Sequence, residues 1–108
     1  MVNINTIKII ASKLGWNVNI DNKSAEFLKP SPMNDNFGFK VPYHDSVDLL
    51  ENINGYVYAF NKETYLSSLL ETNKNEFVNP KMFDAYIVDS MIIKKMLEEL
   101  NTKLQELE

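Results

Sequence analysis

Apolar residues recur at every third or fourth position at the start of the chain, at every second position between Trp16 and Val41, and at every third or fourth position again from Ser46 onward. This double change of period limits the fold more than any other feature, because a 3.6-residue repeat marks an amphipathic helix and a two-residue repeat marks a strand with one buried face. Ile4, Ile7, Ile10 with Ala11, and Leu14 predict a first helix over Asn3 to Leu14. Asn3 or Asn5 can cap its start, and Gly15 can supply the left-handed residue that ends it. Trp16, Val18 and Ile20 then alternate with Asn17 and Asn19 as a first strand. Asp21-Asn22-Lys23 is turn chemistry, and Ala25-Glu26-Phe27-Leu28 returns as a second strand. Lys29-Pro30-Ser31-Pro32 closes that strand, and Met33 to Asn36 form a polar loop. Phe37, Phe39 and Val41 make a third strand that Pro42 ends. The expected sheet is a three-stranded antiparallel meander whose aromatic face, including Trp16, Phe37 and Phe39, packs against helices. Alternation puts Lys40 on its polar face.

From Ser46 the steps of three and four through Val47, Leu50, Ile53, Val57 and Phe60 predict a second helix capped by Asp45 or Ser46. Acids at 45, 48 and 51 suit the positive end of its dipole. Gly55 inside it marks a close helix approach or a bend. Asn61 reads as a fresh cap for a short helix that turns Tyr65, Leu66, Leu69 and Leu70 inward, with a loop over Thr72 to Asn75. Asn79-Pro80 reads as a cap and first helical residue opening a turn through Met82, Phe83 and Tyr86. A last helix from about Asp89 carries Ile93, Leu97, Leu100, Leu104 and Leu107 in heptad steps of four and three, with Lys95–Glu99 and Glu99–Lys103 as supporting pairs. The fold class is therefore α+β: an N-terminal helix, a three-stranded antiparallel sheet, then three to four helices packed on one face, all within a single domain over 1–108.

The charge pattern narrows the function. The net charge is −4, all eleven basic residues are lysine, and residues 35–89 hold four lysines against nine acids. A net acidic surface without arginine repels phosphate backbones, so direct binding to nucleic acid is not expected. An acidic middle suits a basic protein partner. There is no cysteine and a single histidine, which excludes disulfides, thiolate metal sites and a two-histidine metal centre within one chain. No run of about 18 apolar residues spans a membrane, and Asn and Lys interrupt the N-terminus where a signal peptide needs an apolar core, so a cytoplasmic setting is expected.

Candidate chemistry is sparse. His44-Asp45 with Asp48 is the only place where an imidazole and two carboxylates meet in sequence, and helix capping accounts for Asp45 there. The three glycines are isolated, so no phosphate-binding loop is formed, and no serine or metal-protease motif occurs. The aromatics around Lys40 could be read as a base-stacking sheet, but alternate phenylalanines on strands more commonly form a core. No catalytic residue, metal or cofactor is expected. Tyr56 and Tyr58 straddle the inward face of the second helix, so one of them should reach the surface beside Glu51 and Gly55.

The run from Trp16-Asn-Val to Glu26-Phe-Leu, Ser31-Pro32 with its polar loop, Phe37-Gly-Phe-Lys-Val41, Phe60-Asn-Lys-Glu63, Pro80 and the closing Leu97, Leu100 and Leu104 helix resemble a group of small uncharacterised proteins of phages and mobile elements of low-GC bacteria. That group brings no activity with it. In size, acidity and lack of cysteine the chain is also similar in style to anti-CRISPR and other anti-defence inhibitors, which implies an inhibitor of a nucleic-acid-handling complex. The expected role is a non-catalytic, acidic protein-binding module that meets a basic partner through Asp48, Glu51, Tyr58, Glu63 and Glu71. The alternative is a structural or assembly protein that homodimerises along the Ile93, Leu97, Leu100 and Leu104 seam.

Overall fold

The computed structural model describes residues 3–72 and 80–107. The order of elements is α1 (Ile4–Lys13), β1 (Asn17–Ile20), β2 (Ser24–Leu28), β3 (Gly38–Pro42), α2 (Ser46–Ala59), α3 (Lys62–Thr72) and α4 (Pro80–Gln105). The α+β architecture read from the periodicities is thus present, with the helices following a meander of order β1-β2-β3.

Each boundary has a local cause. Asn3 caps α1 by accepting the Thr6 N–H at 2.8 Å. Gly15 sits at φ 95° and closes the helix in a Schellman arrangement, with its own N–H on the Ser12 carbonyl and the Trp16 N–H on the Ala11 carbonyl, both at 3.0 Å. The chain is thereby turned directly into β1. In the β1–β2 turn, Asp21 Oδ1 accepts the Lys23 and Ser24 N–H groups at 2.7 Å each. These donors hold the Asp21 carboxyl below its ordinary value of 3.8.

The register pairs Val18 with Phe27 and Phe27 with Phe39, so one face of the sheet is apolar. Its opposite face carries the row Asn19, Glu26 and Lys40, and Lys40 is exposed as alternation requires. Phe27 stacks on Phe39 at 5.1 Å, Phe39 stacks on Tyr56 of α2 at 4.4 Å, and Trp16 meets Phe39 edge-on at 5.8 Å. The aromatics Trp16, Phe27, Phe37 and Phe39 are therefore core.

Three expectations about the helices need correction. The break near Asp89 is absent: residues 80–105 form one 26-residue helix, consistent with the lack of Gly or Pro between Lys81 and Gln105. On α2, Leu49 joins Leu50 and Ile53 in the core, whereas Val47 is 50% exposed. The inward place in the first turn belongs to half-buried Ser46, and a 100° step per residue carries Val47 to the outside. Gly55 makes no close helix approach, since a Cβ built on it meets nothing within 4 Å.

The dimer seam is corrected as well. Ile93, Leu97, Leu100 and Leu104 are fully buried within one chain, in the same cluster as Ile7, Phe27, Leu49, Leu50 and Ile53. α4 packs against α1, α2 and α3, so this stripe has no surface left for a second copy. Asn61 caps α3 by accepting the Glu63 and Thr64 N–H groups at 2.9 and 3.0 Å, and Tyr65, Leu66 and Leu69 are half-buried as expected. The Leu70 side chain, the loop from Asn73 and the cap at Asn79 lie outside the described residues.

Two glycines on this framework have opposite roles. Gly55 lies in open space within a helix, so Gly55→Ala is expected to stabilise the protein by about 0.5–1 kcal/mol through helix propensity and a less entropic unfolded chain. At Gly38 a Cβ would lie 2.7 Å from the Phe27 carbonyl oxygen and closer still to Leu28 Cδ2, so Gly38→Ala is expected to lower stability. Thermal unfolding of the two variants, with shifts of opposite sign, checks both.

Candidate functional site

The sequence-derived contact residues fall on two helices that meet at a corner. On α2, the first turn holds Asp48 in a structural role. Its N–H is capped by Asp45 Oδ1 at 2.8 Å, while its own Oδ2 accepts the His44 N–H at 2.9 Å and lies 3.4 Å from Asn52 Nδ2. Asp48 is half-buried. It therefore does not stand free as a docking carboxylate, because the exposed backbone ahead of the helix needs an acceptor for its orphan N–H groups. The same bonds account for the adjacency of His44, Asp45 and Asp48 in sequence: an oxygen of each carboxylate accepts a backbone N–H at the start of α2. His44 is exposed at the rim of an open depression of about 510 Å³ that Lys23, Tyr43, Asp48 and Asn52 also line.

On the outer side of α2, Val47, Glu51, Asn54 and Tyr58 follow steps of four, three and four, and all are exposed. Tyr58 is 92% exposed, while Tyr56 is half-buried against Phe39. The expectation that one of the two tyrosines reaches the surface beside Glu51 thus resolves in favour of Tyr58. Past Phe60 the chain turns into α3, where Glu63, Ser67 and Glu71 occupy another exposed stripe at steps of four. An open groove of about 370 Å³ between α2 and α4 is lined by Asn54, Tyr58, Lys94, Glu98 and Asn101 among others. A smaller depression at the start of α3 is lined by Phe60, Lys62, Glu63 and Lys94. Phe60 and Lys94 belong to both, so Tyr58 and Glu63 border one continuous surface, with Glu51 two turns back along α2 and Glu71 two turns on along α3.

The floor of that groove is fixed by amides. Asn101 Nδ2 donates to Asn54 Oδ1 at 2.9 Å, and Gln105 Nε2 donates to the Leu50 carbonyl at 3.0 Å and to Asn101 Oδ1 at 3.1 Å. This ladder ties α2 to α4 where the apolar core ends, so the surface is rigidly backed. It contains Lys94 beside the acids, so the corner is acidic along its stripes and mixed at its centre.

One polar cluster escaped sequence reading. Asp89, only 1% exposed, accepts the Ser31 hydroxyl at 2.9 Å and the Met33 N–H at 3.0 Å, and Asn34 Nδ2 donates to the Tyr65 hydroxyl at 2.8 Å. Ser31 is itself buried. The arrangement pins the 29–37 loop onto α3 and α4. The only sequence signal was a carboxylate four residues ahead of Ile93, on the core side of the apolar repeat. Burial pushes the Tyr65 phenol above its ordinary value of 10.0; the bond from Asn34 opposes this, and the Asp89 charge adds to it. Tyr56 is shifted the same way by burial, with Tyr65 as the lesser cause.

Among the described residues, no group of three or more His, Cys, Asp or Glu side chains could hold a metal ion, and no helix is long and apolar enough to cross a membrane. No protein-family model, curated protein or solved structure matches the chain.

Removing the buried acceptor with Asp89→Ala strands two donors and is expected to cost about 2–3 kcal/mol, read by urea unfolding; Ser31→Ala should cost less, since the Met33 bond survives. The raised tyrosine values fix a second expectation. A phenol that ionises later in the folded state favours folding fully below its ordinary value of 10.0, and that contribution disappears as pH rises through the higher folded value. Stability should therefore fall on the alkaline side of 10.0, and Tyr65→Phe should flatten that fall in denaturation measured across pH.

Proposed function

We propose that this protein is a non-catalytic binding module that docks the α2–α3 corner onto a positively charged protein surface, of the kind that nucleic-acid-handling proteins present. The observation that carries the reading is Tyr58, a large aromatic side chain 92% exposed on a rigid helix and bordered by the Glu51 and Glu63–Glu71 stripes. Tyrosine is a frequent interface anchor because it offers a large, stiff, amphipathic surface at small entropic cost. The surrounding carboxylates would speed encounter with a basic partner and fix its orientation more than they would add affinity. The −5 balance of residues 35–89 supports the same choice of partner. Asp48 takes no part in this surface, since its oxygens serve the start of α2.

Binding to a panel of basic nucleic-acid-binding proteins, measured by titration at several salt concentrations, tests the proposal. The expected result is an affinity that falls as salt rises, that loses about 2 kcal/mol or more on Tyr58→Ala, and whose association rate drops in Glu51→Lys/Glu63→Lys/Glu71→Lys without loss of fold. Binding that ignores salt and survives both variants, or no binding across the panel, overturns it.

A further inference from the structure

The outer side of α4 carries a second seam that the buried leucine stripe does not use. Lys81, Asp84, Val88, Met91, Lys95 and Glu98 follow steps of three, four, three, four and three along the helix, and all six are exposed. At the centre, Val88 is 54% and Met91 46% exposed, with half-buried Ile87 and Ile92 beside them. Two adjacent apolar side chains on the outer face of a helix are otherwise left to water.

The order of charges on this seam is its own complement when read backwards. About the midpoint between Asp89 and Ser90, Val88 mirrors Met91, Asp84 mirrors Lys95, and Lys81 mirrors Glu98. A two-fold axis through that midpoint lays one α4 antiparallel on another, and in such an isologous contact each residue meets its mirror position in the partner. Every charged layer then joins opposite signs, twice over: Asp84 of each copy faces Lys95 of the other, and Lys81 faces Glu98. The spacing is that of facing core positions in an antiparallel helix pair. A parallel pairing would set Asp84 on Asp84 and Lys95 on Lys95, which like-charge repulsion opposes.

From this charge complementarity we infer that the outer face of α4 is a self-association surface, whose occupant is a second copy of this chain in antiparallel orientation. Two apolar layers flanked by exposed ion pairs make a small contact, so the dimer is weak and reversible. The seam shares Glu98 with the groove beside Tyr58, whereas Tyr58, Glu63 and Glu71 belong to other helices, so substitutions at Asp84 and Lys95 test it apart from the docking corner.

Sedimentation equilibrium of the full chain decides it. The average mass should rise from 12.5 kDa toward twice that value between about 10 μM and about 1 mM protein. Asp84→Lys and Lys95→Asp each set like charges on each other at both ends, so each variant alone should associate at least about tenfold more weakly. Mixed in equal amounts, the two variants become complementary and should form a heterodimer, while Asp84→Lys/Lys95→Asp in one chain should restore the homodimer. Circular dichroism confirms that these exposed substitutions leave the helix intact. A chain that stays at 12.5 kDa at about 1 mM, a dimer indifferent to Asp84→Lys, or a mixture that stays monomeric overturns the proposal.

Discussion

The inner stripe of α4 is the constraint on which the rest of the molecule depends. Ile93, Leu97, Leu100 and Leu104 lie without exposure among residues of α1, α2 and the sheet, and α4 touches each of the other three helices. A helix this amphipathic is marginal alone, because its leucines gain free energy only when they leave water. The sheet is in the same position: three short strands with one aromatic face need a cover, and α1 at β1 and α2 at β3 supply part of it. Helices and sheet therefore stand or fall as one core. Loss of any single leucine of the stripe would loosen contacts on several elements at once.

Polar bonds then decide details that apolar burial leaves open. Hydrophobic contact tolerates sliding of α4 by a turn, but the Asp89 carboxylate accepts donors from Ser31 and Met33 and so admits one position for the 29–37 loop. At the other end of the helix, the Asn54–Asn101–Gln105 ladder fixes α4 against α2. Between these two points the buried residues of α4 are apolar apart from Ser90, whose hydroxyl donates to the Ile87 carbonyl of its own helix at 2.7 Å. Specific register at the ends and non-directional burial in the middle divide the work of holding a long helix.

What could be read from the sequence follows the same division. The 3.6 and 2.0 periods identified the helices and strands, Gly15 ended α1 as a left-handed residue, and Asn61 capped α3, because these features act within a few residues of themselves. Long-range bonds were illegible: nothing local reveals that Asp89 reaches Ser31, 58 positions away. Val47 was misplaced because two stripes one residue apart fit the same apolar letters, and only packing chose the one through Leu49. Of the candidate surface, Tyr58, Glu51, Glu63 and Glu71 proved exposed. Asp48 did not stand free, since an acid in the first helical turn has capping work that composition cannot separate from display.

The heptad on α4 shows why a correct period can still point to the wrong face. A helix has room for more than one seam, and α4 carries apolar residues on two. The C-terminal stripe is continuous and therefore conspicuous, yet continuity is what an internal core demands, and it was consumed there. The outer seam holds only Val88 and Met91 as apolar members, too few to register as amphipathic, and its information lies in the sign of its charges. Burial strength and pairing information are different quantities: leucines drive collapse without choosing a partner, whereas charges choose orientation at little gain in energy. A surface meant to meet another copy reversibly is expected to be poor in the first and rich in the second. Glu98 closes the seam and also borders the groove beside Tyr58, so an antiparallel pair would bring the rims of both grooves close to the ends of the dimer contact.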